Sequence, residues 1–280
     1  MSFKSLFILF FFCTFSYQYA ISSTVILSFN IRYDNPNDGE NAWPNRKEKV
    51  ANTILFHNAD IIGLQEVLKH QLEDLEHLLP EKYSWEGVGR TDGKEKGEYS
   101  PIFYNKEKFE KLESETFWLS ETPYKIGSKG WDAALPRIVT WIKFKERESG
   151  KEFYVFNTHF DHRGDTARME SAKLIVSKIE EIADNFPVVL TGDFNVEPSS
   201  EPYQILVQNL TNVQTISKLP WVGSEGTFNG FDNPSNEWRA IDFIFVKGNL
   251  EVDKAGTLST SWDGFYASDH FPIFAEIEPL

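Results

Sequence analysis

The sequence predicts an α/β fold in which two β-sheets pack face to face and helices cover the outer face of each sheet. Two observations support this prediction. Short apolar runs of the length of buried strands recur along the 280 residues, and three amphipathic helical stretches interrupt them. Because every sheet and every helix must bury an apolar face, strands in two groups with helices between them favour layered packing.

The predicted strands are short runs rich in apolar, β-branched and aromatic residues, and turn-forming residues flank them. They cover residues 25–30, 60–66, 83–88, 100–104, 137–144, 153–158, 188–191, 241–246 and 271–277. Many of these runs are apolar almost throughout, which is typical of strands buried on both faces.

The predicted helices carry apolar residues at helical spacing on one side. They cover residues 43–57, 68–79 and 165–184, and Asp165 and Thr166 are candidate caps for the third. We find no internal repeat and no Pro/Gly/Ser linker that would divide the chain. The length suits one large domain, which we place at residues 23–280.

Residues 1–22 are predicted to form a secretory signal peptide. Lys4 precedes the apolar run 6–12, and small residues at Ala20 and Ser22 suit cleavage before residue 23. The run is shorter than the roughly 20 residues that span a bilayer, so we expect no stable membrane anchor. We therefore expect a secreted or periplasmic protein, whose only cysteine, Cys13, is removed with the signal.

The chain is acidic, with 28 Lys and Arg against 42 Asp and Glu and a net charge of −14. Proteins that hold nucleic acid passively usually present a basic face, so the charge argues against that class. It does not exclude a nuclease, because divalent cations can bridge carboxylates to phosphates. The balance favours a smaller or less densely charged phosphoester as substrate.

Polar or ionisable side chains follow or border the apolar runs in six places. Any one of them alone would more often be a turn residue or a helix cap. Six strand ends of this kind suggest one polar site on a common rim of the sheets, with chemistry suited to hard-metal phosphoester hydrolysis. The residues are Asn30, Glu66, His159, the pair Asp193 and Asn195, Asp242, and the pair Asp269 and His270.

The acidic candidates suit a magnesium site. Mg²⁺ prefers oxygen ligands and usually takes one or two carboxylates together with water and substrate phosphate. Glu66, Asp193 and Asp269 each border an apolar strand rather than a solvated run of charges. Asp193 and Asn195 lie two residues apart after Gly192, so both point to one side, where one can orient water and the other can contact phosphate.

The histidine candidates suit proton transfer and charge stabilisation. His270 can transfer protons or stabilise a charged phosphorane. Asp242 can hold its second ring nitrogen, which would explain an acid between Ile241 and Phe243 that is otherwise costly to bury. His159 can donate to a phosphate oxygen, and the alternative for it is a satisfied core histidine.

These motifs, in this order, resemble the endonuclease/exonuclease/phosphatase superfamily with the deoxyribonuclease I-like fold. The resemblance runs from about residue 24 to the C-terminus. It implies a four-layer α-β-β-α sandwich of two packed, mostly antiparallel sheets flanked by helices. It also implies cleavage of a P–O bond that depends on Mg²⁺ or Mn²⁺. The matching motifs are Asn30, Gln65-Glu66, Asn157-Thr158-His159, Gly192-Asp193-Phe194-Asn195, Ile241-Asp242 and Ser268-Asp269-His270.

The resemblance implies a role for each residue around the metal and the attacking water. Glu66 would be the principal metal ligand, with Asn30 and Asp269 close by. Asp193 would orient or deprotonate water, and Asn195 would bind the phosphate.

The resemblance implies further roles at the phosphate. His270 paired with Asp242 would contact the scissile phosphate, and His159 would stabilise the transition state or assist the leaving group. Glu98 resembles the family acid that supports His159. Arg137 resembles an arginine that faces the phosphate, and the alternative for it is an exposed charge at the start of a strand.

The choice of phosphoester rests on composition and on loop motifs. Residues 32–43, 157–164 and 227–231 resemble a secreted or periplasmic hydrolase branch, and loops rich in Trp, Asn and Asp suit a polar ligand that carries sugar. We expect a monomeric phosphodiesterase or phosphatase that acts on a small or carbohydrate- or lipid-linked phosphate. The alternatives are an extracellular endonuclease on DNA or RNA and an inactive phosphate-binding module.

Overall fold

A computed structural model of the chain describes residues 23–231 and 238–278, and the predicted signal peptide lies outside the described residues. Two six-stranded sheets pack against each other, and helices flank both. The predicted α/β sandwich is confirmed. The strands are β1 (Thr24–Asn30), β2 (Ile61–Gln65), β3 (Tyr83–Glu86), β4 (Ile102–Asn105), β5 (Phe109–Trp118), β6 (Ile138–Glu146), β7 (Glu152–His159), β8 (Val188–Asp193), β9 (Thr211–Asn212), β10 (Asp242–Lys247), β11 (Val252–Thr257), β12 (Ser261–Trp262), β13 (Phe265–Tyr266) and β14 (Ile273–Ile277).

Each six-stranded sheet contains one parallel pair at its centre. The first sheet has the order β11-β14-β1-β2-β4-β3 and the second has the order β5-β6-β7-β8-β10-β9. The pairs β1–β2 and β7–β8 are parallel, and the other pairs of these sheets are antiparallel. The sheets are therefore mostly antiparallel, as predicted. Strands β12 and β13 form a separate hairpin.

Of the helices that the structure describes, four lie on the outer faces of the two sheets, and a fifth, short helix packs through Val213 into the core between the sheets. They are α1 (Lys47–Phe56), α2 (Lys69–Leu78), α3 (Asp165–Ala183), α4 (Glu201–Val207) and α5 (Val213–Ile216). The predicted helix 43–57 begins late, because Trp43–Asn45 forms a separate 3₁₀ turn with a proline and Arg46 has a non-helical φ of −132°. Across residues 23–231 and 238–278, we find no helix with the length and hydropathy needed to cross a bilayer.

Three apolar cores separate the four layers. One core lies between α1, α2 and the first sheet, and it contains Val50, Leu72 and Phe29. A second core lies between the sheets and joins Ile26 to Val189. The third core packs α3 and α4 on the second sheet. Burial of these faces drives the stacking, because each fully buried aliphatic side chain contributes roughly 1.5–3 kcal/mol.

The first and last described strands are neighbours in the first sheet. Strands β1 and β14 pair antiparallel, with Thr24 opposite Ile277 and Ser28 opposite Ile273. Strand β1 therefore ends at Asn30 on the same side of the sheet where β14 begins. Asp269 and His270 shortly precede β14. The two strands bring these three residues to one edge of the sandwich.

Candidate active site at the strand ends

The carboxyl ends of the two parallel pairs meet at one edge of the sandwich. The side-chain amide of Asn30, at the end of β1, donates to Asp193 Oδ2 at 2.9 Å and to Glu66 Oε1 at 3.2 Å. Asp193 ends β8 in the other sheet. Because β1 and β8 belong to different sheets, this amide links the two halves of the fold at the point where the predicted metal and water residues converge.

A buried polar network beneath this point holds the two sheets in register. Gln65 Nε2 donates to Asn157 Oδ1 at 2.7 Å, and Thr191 Oγ1 donates to the same oxygen at 3.0 Å. The Asn157 amide donates to the backbone carbonyls of Leu64 and the proline at 101. A Cβ at Gly63 would lie 2.1 Å from Thr191 Oγ1, so only glycine permits this close approach.

Asp242 and His270 form a buried pair beside Asp193. Asp242 lies opposite Asp193 in the β8–β10 register. His270 Nδ1 lies 2.8 Å from Asp242 Oδ2, and His270 Nε2 lies 3.8 Å from Asp193 Oδ2. The hydroxyl of Thr227 donates to Asp242 Oδ2 at 2.5 Å. Sequence analysis expected the His270–Asp242 pair, and the structure contains it.

The charges in this pair shift two pKa values upward. Burial alone would lower the pKa of His270, but the carboxylates of Asp242, Asp193 and Asp269 outweigh it and raise the pKa to about 10. Burial and the charge of Asp242 raise the pKa of Asp193 above its usual range, although His270 opposes the shift. His270 is therefore a cation at neutral pH, and Asp193 binds a proton more readily than an ordinary carboxylate.

His159, at the end of β7, faces the same carboxylate as a neutral imidazole. Its Nε2 lies 3.4 Å from Asp193 Oδ2 and 3.1 Å from the Asn195 amide nitrogen. Burial, with the cationic Arg137 and Arg90 nearby, lowers the pKa of His159 well below its usual value. His159 Nδ1 is buried without a hydrogen-bond partner among the described residues.

The expected support of His159 by Glu98 is wrong for this structure. Glu98 instead forms a bidentate ion pair with Arg90, and both N–O distances are 2.7 Å. Burial and the neighbouring Glu66 raise the pKa of Glu98, although Arg90 opposes that shift. Glu98 still borders the cavity described below. It therefore forms part of the cavity wall and does not hydrogen-bond to His159.

Arg137 is buried, which excludes the alternative of an exposed charge at the start of a strand. The residue is 4% exposed, and it lies against Asp161 Oδ2 at 3.4 Å and His162 Nδ1 at 3.0 Å. Its Nη1 has no hydrogen-bond partner among the described residues. A buried guanidinium nitrogen without a partner is costly, so it is suited to receive an anionic ligand oxygen.

Three site residues have left-handed backbone conformations. Arg32, Glu66 and Asn195 have φ values of 57°, 62° and 50°. Asn tolerates this region, but the conformation is strained for the other two residues and costs of order 1–3 kcal/mol each. The backbone NH of Tyr33 donates to Glu66 Oε2 at 3.1 Å and helps to hold the carboxylate in place.

The oxygen-rich group around Glu66 suits a hard divalent cation. Two sets of ligand atoms lie within 4.8 Å of one another in the described part of the chain, namely Glu66–His159–Asp193 and Asp193–Asp242–His270. Burial and the charge of Glu66 raise the pKa of Asp269, although the neighbouring cations oppose that shift. A divalent cation would relieve this crowding of carboxylates, so the residues fit Mg²⁺ or Mn²⁺.

Asp269 approaches the Glu66 group through an arginine rather than directly. Arg32 Nε lies 3.7 Å from Asp269 Oδ2, and Arg32 Nη1 lies 4.0 Å from Glu66 Oε2. The same guanidinium donates twice to Asp38, at 3.0 and 3.2 Å. Asp269 therefore borders the site. The ligand atoms that lie within 4.8 Å of Glu66 and of one another belong to His159 and Asp193, and not to Asp269.

A cavity of about 410 Å³ opens over these residues. Asn30 and Asp242 lie behind its wall, where they position the groups in front. Neutral His159, cationic His270 and unpaired Arg137 Nη1 surround a carboxylate whose proton affinity is raised. Such a cavity can hold a phosphoryl group and activate water beside it. The predicted residues that border it are Glu66, Glu98, Arg137, His159, Asp193, Asn195, Asp269 and His270.

Several residues of the site were missed from the sequence because loops deliver them. Arg32, Phe228 and Arg239 line the cavity. The Arg239 guanidinium lies 5.1 Å from the Phe228 ring centre, and that ring packs edge-on against His270. The motif 227–231 drew attention to this loop, but nothing in it indicated that Thr227 would bind Asp242.

Comparison with known proteins gives a match along most of the chain. A model of the endonuclease/exonuclease/phosphatase family matches residues 27–270. A solved endonuclease/exonuclease/phosphatase from Bacteroides vulgatus superposes with a TM-score of 0.88 and is 44% identical. The alignment covers 92% of this chain and 99% of that one.

A structure with a stated activity is nearly as similar. A mannosyl-6-phosphatase from Bacteroides thetaiotaomicron superposes with a TM-score of 0.84 and is 41% identical, covering 91% of this chain and 99% of that one. The exoribonuclease subunit Ccr4 of the CCR4-Not complex from Candida glabrata is 24% identical over 191 residues, covering 59% of this chain and 22% of that protein. The chain spans at most 60% of the length of the first curated relatives it matches.

Proposed function

The chain belongs to the endonuclease/exonuclease/phosphatase family, and from this premise we propose that it is a hydrolase of phosphate esters that depends on a divalent metal ion. We further propose that it is a phosphatase acting on small or carbohydrate-linked phosphates. One observation carries the proposal. Asn30 and Glu66 from one sheet converge with Asp193 and His159 from the other at a single buried centre.

The proposed reaction is in-line attack by water on phosphorus, in which the ester P–O bond breaks and the leaving oxygen takes up a proton, so that ester and water give phosphate and alcohol. Asp193 would accept a proton from the attacking water, and its raised pKa suits a general base that works near neutral pH. The Asn30 amide fixes one oxygen of this carboxylate, and the Asn195 backbone NH fixes the other at 3.0 Å. A divalent cation held by Glu66, Asn30 and Asp269 would supply Lewis-acid stabilisation of the phosphoryl oxygens.

The remaining polar groups would stabilise the charge that develops on the phosphoryl group. His270 carries a positive charge at neutral pH, because Asp242 and its neighbours raise its pKa. His159 is neutral, because its pKa is lowered, and it lines the cavity. A protonated ring nitrogen that faces the substrate can donate a hydrogen bond to a phosphoryl oxygen. Arg137 brings a buried guanidinium with a free nitrogen. Preorganised donors of this kind are usually the largest contribution to catalysis.

Two observations support a carbohydrate-linked phosphate as the substrate. The mannosyl-6-phosphatase is 41% identical over nearly its whole length. The net charge of −14 disfavours long polyanions such as DNA and RNA. An exoribonuclease is the second candidate, because the more distant relative Ccr4 carries that activity in its name. We also keep the proposal that residues 1–22 direct secretion or periplasmic export.

A panel of phosphoesters tests the proposal. We expect hydrolysis of hexose 6-phosphate and p-nitrophenyl phosphate with Mg²⁺ or Mn²⁺, and loss of turnover in EDTA. Asp193→Asn should lower kcat about a hundredfold or more with the fold intact. Glu180→Gln, on the exposed side of α3, serves as the control and should match the wild type.

Two outcomes would contradict the proposal. The first is turnover that EDTA leaves unchanged, and the second is Asp193→Asn activity equal to that of the control. Preferential degradation of RNA with a steep salt dependence would favour the exoribonuclease instead. Absence of EDTA-sensitive turnover on every substrate would favour an inactive phosphate-binding module.

A further inference from the structure

A second cavity opens directly beside the catalytic one. It has a volume of about 530 Å³ and lies between the first turn of α3, the loop 195–202 and the start of β10. The two cavities share Asn195, Arg239 and Ile241 in their walls. Because the Asn195 amide also contacts His159, a group bonded to a phosphoryl unit at the catalytic centre can extend past Asn195 into this space.

The opposite wall of the catalytic cavity is built from paired charges. That wall contains the Arg90–Glu98 ion pair and the buried Arg137, which lies against Asp161. Backbone NH groups of Ala134, Gly164 and two other residues bind the Asp161 carboxylate and lower its pKa well below its usual range, although burial opposes the shift. A network of paired charges cannot open without large cost. The Asn195 side, where the second cavity adjoins, therefore suits the leaving group better than this wall.

The chemistry of the second cavity suits hydroxyl groups. Glu197 and Glu201 are exposed, and their carboxylates have no cation partner within residues 23–231 and 238–278. Ser199 adds a hydroxyl that can donate or accept. Two cations also line the cavity. Asp165 and the carbonyl of Asp161 bind Arg168, and the Arg239 guanidinium lies over the Phe228 ring in the wall shared with the catalytic cavity. Free carboxylates accept hydrogen bonds from a polyol and repel a second phosphate.

We propose that this cavity binds the organic part of the substrate as an uncharged polyhydroxyl group, and that Glu197 and Glu201 reject substrates with a second phosphate there. The inference rests on the proposed function, because it assigns the leaving-group side of the same site. A polynucleotide would place its next phosphate against these two carboxylates. A hexose monophosphate would place hydroxyl groups there instead.

The double variant Glu197→Gln/Glu201→Gln tests the inference with three substrates. They are hexose 6-phosphate, hexose 1,6-bisphosphate and p-nitrophenyl phosphate, whose leaving group has no hydroxyl to place. We expect kcat/KM for hexose 6-phosphate to fall about tenfold relative to p-nitrophenyl phosphate, because charge-assisted hydrogen bonds become neutral ones. Activity on the bisphosphate should rise relative to that on the monophosphate.

A charge-matched control separates local recognition from a change in net charge. Glu148→Gln/Glu180→Gln removes the same two charges, from the turn between β6 and β7 and from the far end of α3. We expect wild-type substrate ratios in this control. Equal ratios in both double variants would overturn the inference while leaving the phosphatase proposal in place. No turnover of any of the three substrates by the metal-supplied wild type would overturn both.

Discussion

Thr227 ends a chain of hydrogen bonds that begins at the ring of His270. Its hydroxyl donates to Asp242 Oδ2, and it accepts from the backbone NH groups of Ile241 and Asp242, each at 3.1 Å. The side chain is 1% exposed. Thr227 therefore acts on the histidine only through the carboxylate, as a positioning residue.

Thr227→Val should keep the shape of the side chain and lose every hydrogen bond of the hydroxyl, including a longer one of 3.3 Å to the carbonyl of Arg239. We expect a loss of about 2 kcal/mol in the free energy of unfolding, because buried polar groups lose their partners. We expect kcat to fall about tenfold or more, as is common when a group that orients a catalytic residue is removed. Thr227→Ser should restore most of both, measured by denaturant titration and steady-state kinetics. Equal activity of the valine and serine variants would contradict the positioning role.

The predictable residues of the site are those that end buried strands. Asn30, His159 and Asp193 follow apolar runs, and strand geometry alone brings such side chains to a common edge. Glu98 and Arg90 lie outside the strands, where local sequence carries little information about partners. The ion pair between them could therefore not be predicted from the sequence, and the expected contact from Glu98 to His159 was wrong.

Helix α3 is capped from a distant loop rather than by its own first residues. Asp165 and Thr166 were the candidate caps, but Gly164 occupies the cap position and makes no side-chain hydrogen bond. The carboxylate of Asp132 accepts from the backbone NH groups of Ala167 at 2.7 Å and Thr166 at 3.3 Å. The loop that carries Asp132 is thereby tied to the helix that borders the second cavity.

Asp132→Ala should lower the melting temperature by a few degrees, whereas Asp165→Ala should change it little. Loss of water contact tends to raise the pKa of Asp132, but the bonds from Ala167 and Thr166 outweigh it and lower the pKa below its usual 3.8. A carboxyl whose pKa is lower in the folded state stabilises the fold fully above its unfolded-state pKa, and this stabilisation is lost as the pH falls through the folded-state pKa. The difference between wild type and Asp132→Ala should therefore shrink in acid, which thermal melts at several pH values would measure. A difference that stays constant down to pH values well below 3.8 would contradict the cap.

The elements that sequence analysis missed are those without a buried apolar pattern. Strand β5 lies at an edge of its sheet, and its middle residues are mostly exposed and charged. Charges on an edge strand prevent pairing with other chains, and they also remove the apolar signal of a strand. Strand β11 is the corresponding edge strand of the first sheet, and Lys254 and Gly256 interrupt its pattern.

The candidate active site joins the two halves of the whole molecule. Glu66 follows β2 of the first sheet, and Asp193 ends β8 of the second. The family resemblance predicted the four layers, but sequence alone could not assign strands to sheets. That assignment depends on contacts between distant residues, such as Gln65 with Asn157.

Mg²⁺ should stabilise the whole fold, because its proposed ligands come from strands distributed along the chain. At a concentration of about 100 times Kd, ligand binding adds ~2.7 kcal/mol to the free energy of unfolding. We expect the melting temperature of the wild type to rise with Mg²⁺ and the rise to be lost in Glu66→Gln. Glu180→Gln is the matched control and should keep it. Equal Mg²⁺ shifts in both variants would argue against Glu66 as a ligand.

The pairing of Thr24 with Ile277 has a practical consequence for handling the enzyme. Both residues lie at the edge of the sandwich remote from Asn30 and His270, so an attachment made beside either one starts behind the cavity mouth. A bead, a dye or a fused reporter domain attached there leaves the mouth of the active-site cavity accessible to solvent. The same adjacency makes a short peptide bridge between these two positions geometrically feasible, with new ends cut into the turn between β6 and β7.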